Sequence, residues 1–295
     1  MAISAAQVKE LRERTGAGMM ECKKALSEAE GDMEAAIEVM RKSGLAKAEK
    51  KAGRVAAEGV IVARVDDAAT TGVLVEINSE TDFVANNDQF QAFARAVAER
   101  VLSEAPGDVD ELVGMALSND DQRDIATATK ELVAKIGENI EVRRFTRRVA
   151  ERGWLASYLH GKRIGVLVEY TGDDDQLGRD LAMHIAASHP IAIRADDVAQ
   201  DKLDKERAML EAQARESGKP EEIVNKMVDG RMRKYLAEIT LLGQPFVKDP
   251  DQTVEDHLAS KGAEAVFFER FEVGEGKEKK DENFADEVMA QVKGN

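Results

Sequence analysis

The spacing of apolar residues divides the chain into stretches of different period. Between Val8 and Met40, apolar residues recur every three or four positions, the spacing of one helix face. Val8, Leu11 and Arg12 share a first face, with Ser4 as its candidate N-cap. Thr15-Gly16-Ala17-Gly18 breaks that helix, and Met19 and Met20 open a second one that continues through Cys22, Ala25 and Leu26. Gly31-Asp32 breaks the pattern again, with Asp32 as N-cap. Met33, Ala36, Ile37 and Met40 form a third stripe, which Ser43-Gly44 ends. Residues 1–55 therefore read as a domain of three short helices. Lys47, Lys50, Lys51 and Arg54, set among alanines over 45–57, read as a solvated helix or linker to the next module.

From Glu58 the period drops to two. Val60, Val62 and Val65 alternate with Ile61, Ala63 and Arg64, a turn spans Asp66–Thr71, and Gly72–Ile77 reads as a buried strand. Together these predict an antiparallel hairpin. A short loop, Ser79–Ala85, leads to an amphipathic helix from near Asp88 to Leu102 carrying Phe90, Phe93, Ala94 and Val97. Further helices are predicted over Val109–Leu117 and Gln122–Ile136, and a strand over Ile140–Phe145 after the break at Gly137-Glu138-Asn139. Then Gly165-Val166-Leu167-Val168-Glu169 repeats Gly72-Val73-Leu74-Val75-Glu76 letter for letter. Both copies follow a strand and a turn, Trp154–Leu159 and 160–163 in the second case, and both precede a helix, Leu177–Ala187 in the second case. Five letters alone could coincide; the shared order of flanking elements predicts a duplicated α+β unit.

The second copy is interrupted. Asp196-Asp197 reads as the cap of a long charged helix through Leu203, Met209, Leu210 and Ala214. Ser217-Gly218-Lys219-Pro220 is a turn, and a second helix carries Ile223, Met227, Met232 and Leu236. Two helices of about 20 residues, each about 30 Å long, would project as an antiparallel hairpin. Strand Ala265–Val273 follows, and Asn283–Val292, with Phe284, Val288 and Met289, reads as one amphipathic helix. The predicted class is α+β. Its organisation is an N-terminal helical domain over 1–55, core subdomains over 56–145 and 146–275, a helical hairpin inserted at 196–242, and a C-terminal module over 276–295.

Composition narrows the function. The 295 residues carry a formal net charge of −15, which disfavours binding to phosphate backbones. No run of apolar residues is long enough to span a membrane. The opening Met1-Ala2-Ile3-Ser4 lacks a basic segment followed by an apolar one, and the single cysteine, Cys22, cannot form an internal disulfide, so a cytoplasmic protein is expected. His160, His184, His189 and His257 show no metal-ligand spacing among themselves or with Cys22, and Gly16-Ala17-Gly18 is followed by no Gly-Lys-Ser/Thr. No catalytic, cofactor or metal site is expected, and the chain does not read as an enzyme.

What stands out instead is apolar residues in polar surroundings. Phe83 and Val84 sit in the loop Ser79–Ala85 beside Asp82. Burial statistics favour a Phe that packs under its own loop; the other reading is a wedge that enters a partner, with Asp82 as a charged probe. Met19 and Met20 are either core filler or an adaptable binding tip.

Several blocks resemble the bacterial elongation factor Ts family. They are Val8–Met20, within Gln7–Ala25; Thr81-Asp82-Phe83-Val84; Lys135-Ile136-Gly137-Glu138-Asn139; His160–Val168; and Leu242-Gly243-Gln244-Pro245-Phe246. They fall in family order from near residue 4 to near residue 275. Only Pro106–Arg123 and Asp173-Asp174-Asp175 differ from the family in length or charge, and no function is carried onto them. The resemblance implies a guanine nucleotide exchange factor that binds elongation factor Tu in its GDP-bound and nucleotide-free states. It implies that Thr81, Asp82, Phe83 and Val84 disturb the magnesium and phosphate site of Tu. Ile136, Gly137 and His160 match positions lining the same contact. The N-terminal domain resembles a ubiquitin-associated domain docking on the G domain of Tu, with Arg12, Met19, Met20 and Lys23 at the contact. The hairpin resembles the family's coiled-coil projection, and the tail its C-terminal module. A homodimer or a 2:2 complex with Tu stays open. The rival reading is a non-exchanging adaptor built on the ubiquitin-associated-like domain, which a labelled-GDP release assay distinguishes. An RNA-binding factor conflicts with the charge.

Overall fold

The computed structural model describes residues 3–277 except Gly16 and Asp173; the expected tail helix lies outside the described residues. The described chain forms two compact units. One comprises 3–60, 75–145 and 273–277; the other comprises 61–74 and 146–272. Helices and antiparallel sheets both contribute, as the α+β expectation requires.

The first unit opens with three helices, α1 (Ala5–Thr15), α2 (Met19–Glu28) and α3 (Met33–Lys51). Ser4 caps α1: its Oγ accepts from Gln7 N, while Gln7 Oε1 accepts from Ser4 N. Asp32 caps α3 through Ala35 N at 2.7 Å. Leu11, Cys22, Leu26 and Ala36 are fully buried between the three helices, and Met33, Ile37 and Met40 pack around them. The expected end at Ser43-Gly44 does not occur. α3 continues to Lys51, so 45–51 is helix rather than linker. Gly44 sits in the helix interior because a Cβ there would lie 3.0 Å from the Cβ of Ala134. The glycine marks a close helix–helix approach, not a stop. Gly44→Val, which forces those helices apart, is expected to destabilise the protein by about 1–3 kcal/mol in urea unfolding.

Strands β1 (Glu58–Val65) and β2 (Thr71–Ser79) follow, with the Asp66 carboxylate accepting from Thr70 N and Thr71 N in the turn between them. Every residue of β2 from Gly72 to Ser79 is buried, as its unbroken apolar run predicts. A single helical turn, α4 (Asp82–Ala85), occupies what reads in sequence as a loop. α5 (Asp88–Glu104) buries Phe90, Phe93, Ala94, Val97, Ala98 and Val101 as one stripe, and Asn87 caps it. α6 (Val109–Gly114) and α7 (Ile125–Ile136) are shorter than expected. Gly114 ends the first, Asp124 caps the second, and a bridge between Ala116 and Asp124 lies between them. β3 (Ile140–Val149) outruns its predicted end and lies beside β2 in the order β1-β2-β3.

In the second unit β4 (Trp154–His160) pairs antiparallel with β5 (Ile164–Tyr170), and β5 pairs antiparallel with β8 (Ala265–Glu272). α8 (Asp175–Ser188) covers this sheet with Leu177, Leu181, Ala182 and Ile185, which pack with Val166, Val168 and Tyr170. Asp196-Asp197 does not cap the next helix. It lies in a 3₁₀ turn over Ala195–Asp197, and Ala199 is the cap residue of α9 (Gln200–Arg215). The turn arises because the Asp197 carboxylate accepts from Arg194 N and closes on its own segment. α9 and α10 (Glu221–Ile239) form the hairpin, with Leu210, Ala214, Val224, Val228 and Met232 as its own apolar cluster. β6 (Pro245–Phe246), β7 (Asp249–Thr253) and α11 (Val254–Ser260) lead to β8.

A buried polar network holds the hairpin's return. Val247 N donates to His184 Nδ1 at 3.2 Å, so the proton sits on Nε2, which donates to Gln244 Oε1 at 2.9 Å. Gln244 Nε2 in turn donates to Glu238 O and Ser188 O. Burial pushes the His184 pKa down despite the Gln244 bond. Because the hairpin has its own small cluster, replacing 205–234 by a short Gly/Ser link should leave a single cooperative thermal transition by circular dichroism. An unfolded product would place the hairpin tip in the core.

The five-letter repeat has a structural counterpart at its last letter. Glu76 and Glu169 are both fully buried and both bonded by donors within their own unit. Glu76 accepts from Arg143 at 2.8 Å, Arg144 Nε at 2.6 Å, Asn78 Nδ2 at 3.0 Å and Gly274 N at 2.8 Å. Glu169 accepts from Arg148 at 2.8 Å, Glu151 N at 2.8 Å and Arg152 N at 3.0 Å.

Candidate partner-binding site

The chain after β2 must leave a buried strand and reach the cap of α5. Between the end of β2 at Ser79 and the cap of α5 at Asn87 the chain makes α4. Within that turn the side chains divide. Val84 and Ala85 are buried, while Phe83 is 83 % exposed and Asp82 is also exposed. Burial statistics for Phe thus fail here. Val84 and Ala85 take the inward side of the turn, and a four-residue helix has no room to turn Phe83 inward as well. Val84, one of the expected contacts, lies beneath the turn at 7 % exposure.

α4 is too short to be stable by itself. Thr81 precedes it, but the Thr81 hydroxyl does not cap it. Both Thr81 N and Thr81 Oγ1 instead donate to the Glu138 carboxylate, at 2.9 and 2.7 Å. The Glu80 carboxylate returns the bond by accepting from Asn139 N at 2.5 Å. Asn139, buried, donates through Nδ2 to Arg54 O at 2.7 Å. Gly137 closes α7 in the left-handed region with φ 95°, which suits glycine, and its carbonyl accepts from Lys51 Nζ at 2.5 Å. Ile136 and Gly137, both half-buried, thus belong to the turn that braces the Phe83 segment. His160 lies in the other unit, exposed at the end of β4, with Tyr158 Oη 3.3 Å from its Nδ1.

The N-terminal candidates are exposed. Met19 and Met20 are 62 % and 76 % accessible at the start of α2, so they are not core filler. Arg12 and Lys23 are exposed, and among the described residues no ion pair is seen to hold either. Glu80, Glu138 and Asn139 are the residues that sequence reasoning passes over. Their pairings join positions nearly sixty residues apart, which no local period reveals.

None of this brings together a nucleophile, base and oxyanion pocket. Exposed apolar side chains on a bonded backbone suit a protein that grips another protein. Comparison with known proteins specifies which. A family model described as "Elongation factor TS" matches residues 80–275. Proteins named elongation factor Ts are similar over essentially the whole chain. That from Halorhodospira halophila is 64 % identical over 293 residues, 99 % of each chain. That from Alkalilimnicola ehrlichii is 61 % identical over 294 residues, and that from Thioalkalivibrio sulfidiphilus 60 % over 295, each covering 100 % of both chains. The chain belongs to the elongation factor Ts family: it is a translation elongation factor that exchanges nucleotide on elongation factor Tu. Among the described residues no helix is long and apolar enough to cross a membrane.

Proposed function

We propose that this protein binds Tu carrying GDP, drives Phe83 and Asp82 between elements of the G domain, and so disturbs the magnesium and phosphate site until GDP leaves. The observation that carries this reading is the exposure of Phe83 on a turn that buries Val84 and Ala85 and whose N-terminal end is bonded to Glu138 and Asn139. GDP in such domains is held by backbone amides around its phosphates and by magnesium. A partner that binds the empty domain more tightly than the loaded one must, by linkage, weaken GDP by the same factor. No acid, base or cofactor of this chain is needed.

In the same reading α1–α3 form the ubiquitin-associated-like module that docks on the G domain through Met19, Met20, Arg12 and Lys23. Ile136, Gly137 and His160 line the contact, the hairpin is the coiled-coil projection, and the protein works in the cytoplasm. Release of labelled GDP from Tu tests the whole reading: acceleration supports it, and unchanged release with intact binding leaves only an adaptor. Met19→Ala with Met20→Ala should weaken binding to Tu by about tenfold or more while leaving the thermal midpoint in place, because both side chains are exposed. Binding titration against Tu checks it.

A further inference from the structure

We propose that Glu80, Glu138 and Asn139 are positioning residues for Phe83, locking the turn that carries it to the end of α3. The two chain segments exchange bonds reciprocally. Glu138 holds Thr81 through both carboxylate oxygens, and Glu80 holds Asn139 N. Carboxylate acceptors make these bonds roughly twice as strong as neutral ones. Asn139 is 7 % exposed and spends its amide on Arg54 O, while Lys51 Nζ reaches Gly137 O. Arg54 also faces Glu80 at 3.5 Å. One turn, 137–139, therefore holds the C-terminal end of α3 and the base of α4 together.

The consequence follows from what a wedge needs. A side chain that displaces another protein's elements transmits the reaction force into its own backbone. An unbraced four-residue helix would yield, and ordering it on contact would consume binding free energy. With the brace, the turn is ordered beforehand, and it is fixed to the helix whose bundle presents Met19 and Met20. Glu138 thus acts through Phe83 without touching Tu.

This inference rests on Phe83 being the wedge, and a double-mutant cycle in the full chain separates the two claims. Labelled-GDP release from Tu is measured at saturating protein for the unaltered chain, Phe83→Ala, Glu138→Ala and the double variant. Glu138→Ala is expected to slow release about tenfold, about 1.4 kcal/mol, with the half-saturating concentration little changed. Glu138→Gln, which keeps one acceptor oxygen, should recover part of the rate. The double variant should be no slower than Phe83→Ala alone. Multiplied losses, or an unslowed Glu138→Ala beside a slowed Phe83→Ala, would overturn the positioning role and leave the wedge intact. An unslowed Phe83→Ala would remove the wedge, and this inference with it. If Glu138→Ala fails to fold, Thr81→Val, which deletes only the hydroxyl donor, enters the same cycle with the same two outcomes.

Discussion

Phe83→Ala is expected to slow GDP release from Tu by about tenfold or more, about 1.4 kcal/mol per decade, with little change in this protein's own stability. Truncating a buried Phe typically costs about 3–5 kcal/mol of folding free energy. Phe83 is 83 % exposed, so little of that cost applies to it. The missing ring would be felt only where it is buried, in the complex. Asp82→Ala should act in the same direction, since an exposed carboxylate beside the ring can compete for hydrogen-bond donors of the partner. Val84→Ala is the internal control. Val84 is 7 % exposed beneath the same turn, and its truncation should lower the melting temperature. Melting temperature and release rate, measured on the three variants, separate contact from support. A large drop in the melting temperature of Phe83→Ala with an unaltered release rate would return Phe83 to the core.

Glu76→Ala should cost about 3–5 kcal/mol, a large share of the 5–15 kcal/mol typical of a whole domain. The carboxylate is fully buried, and its removal leaves Arg143, Arg144 and Gly274 N without the acceptor they share. Burial by itself pushes the Glu76 pKa up. The bonds from Gly274 N, Arg144, Asn78 and Arg143 outweigh it, and the pKa lies below the ordinary value. Glu169 behaves alike: burial raises it, and the Arg152 and Glu151 amides with Arg148 bring it below the ordinary value. A carboxylate whose folded pKa is depressed adds stability above its unfolded pKa, about 4.3, and loses it as pH falls through the folded value. Stability should therefore drop on acidification below about pH 4. Glu76→Gln should flatten part of that drop. Urea midpoints measured from pH 3 to pH 7 check the sign; a drop as steep in Glu76→Gln as in the unaltered chain would assign the acid sensitivity elsewhere.

The sequence by itself determined the local elements and the family. The 3.6 spacing over Val8–Met40, the caps Ser4 and Asp32, the unbroken apolar run of β2 and the stripe of α5 each express interactions within a few residues. Local interactions are written in local order. The letter-for-letter repeat falls on two buried strands, β2 and β5, each ending its repeated letters on a fully buried glutamate. Tertiary structure decided the rest, and for one reason: the deciding partner is distant along the chain. Gly44 reads as a helix stop until Ala134 is found against it. Phe83 reads as core until Val84 and Ala85 are seen to hold the inward side of the turn. Glu80, Glu138 and Asn139 are ordinary polar letters until the fold closes a gap of 57 to 59 residues and sets carboxylate against amide in both directions.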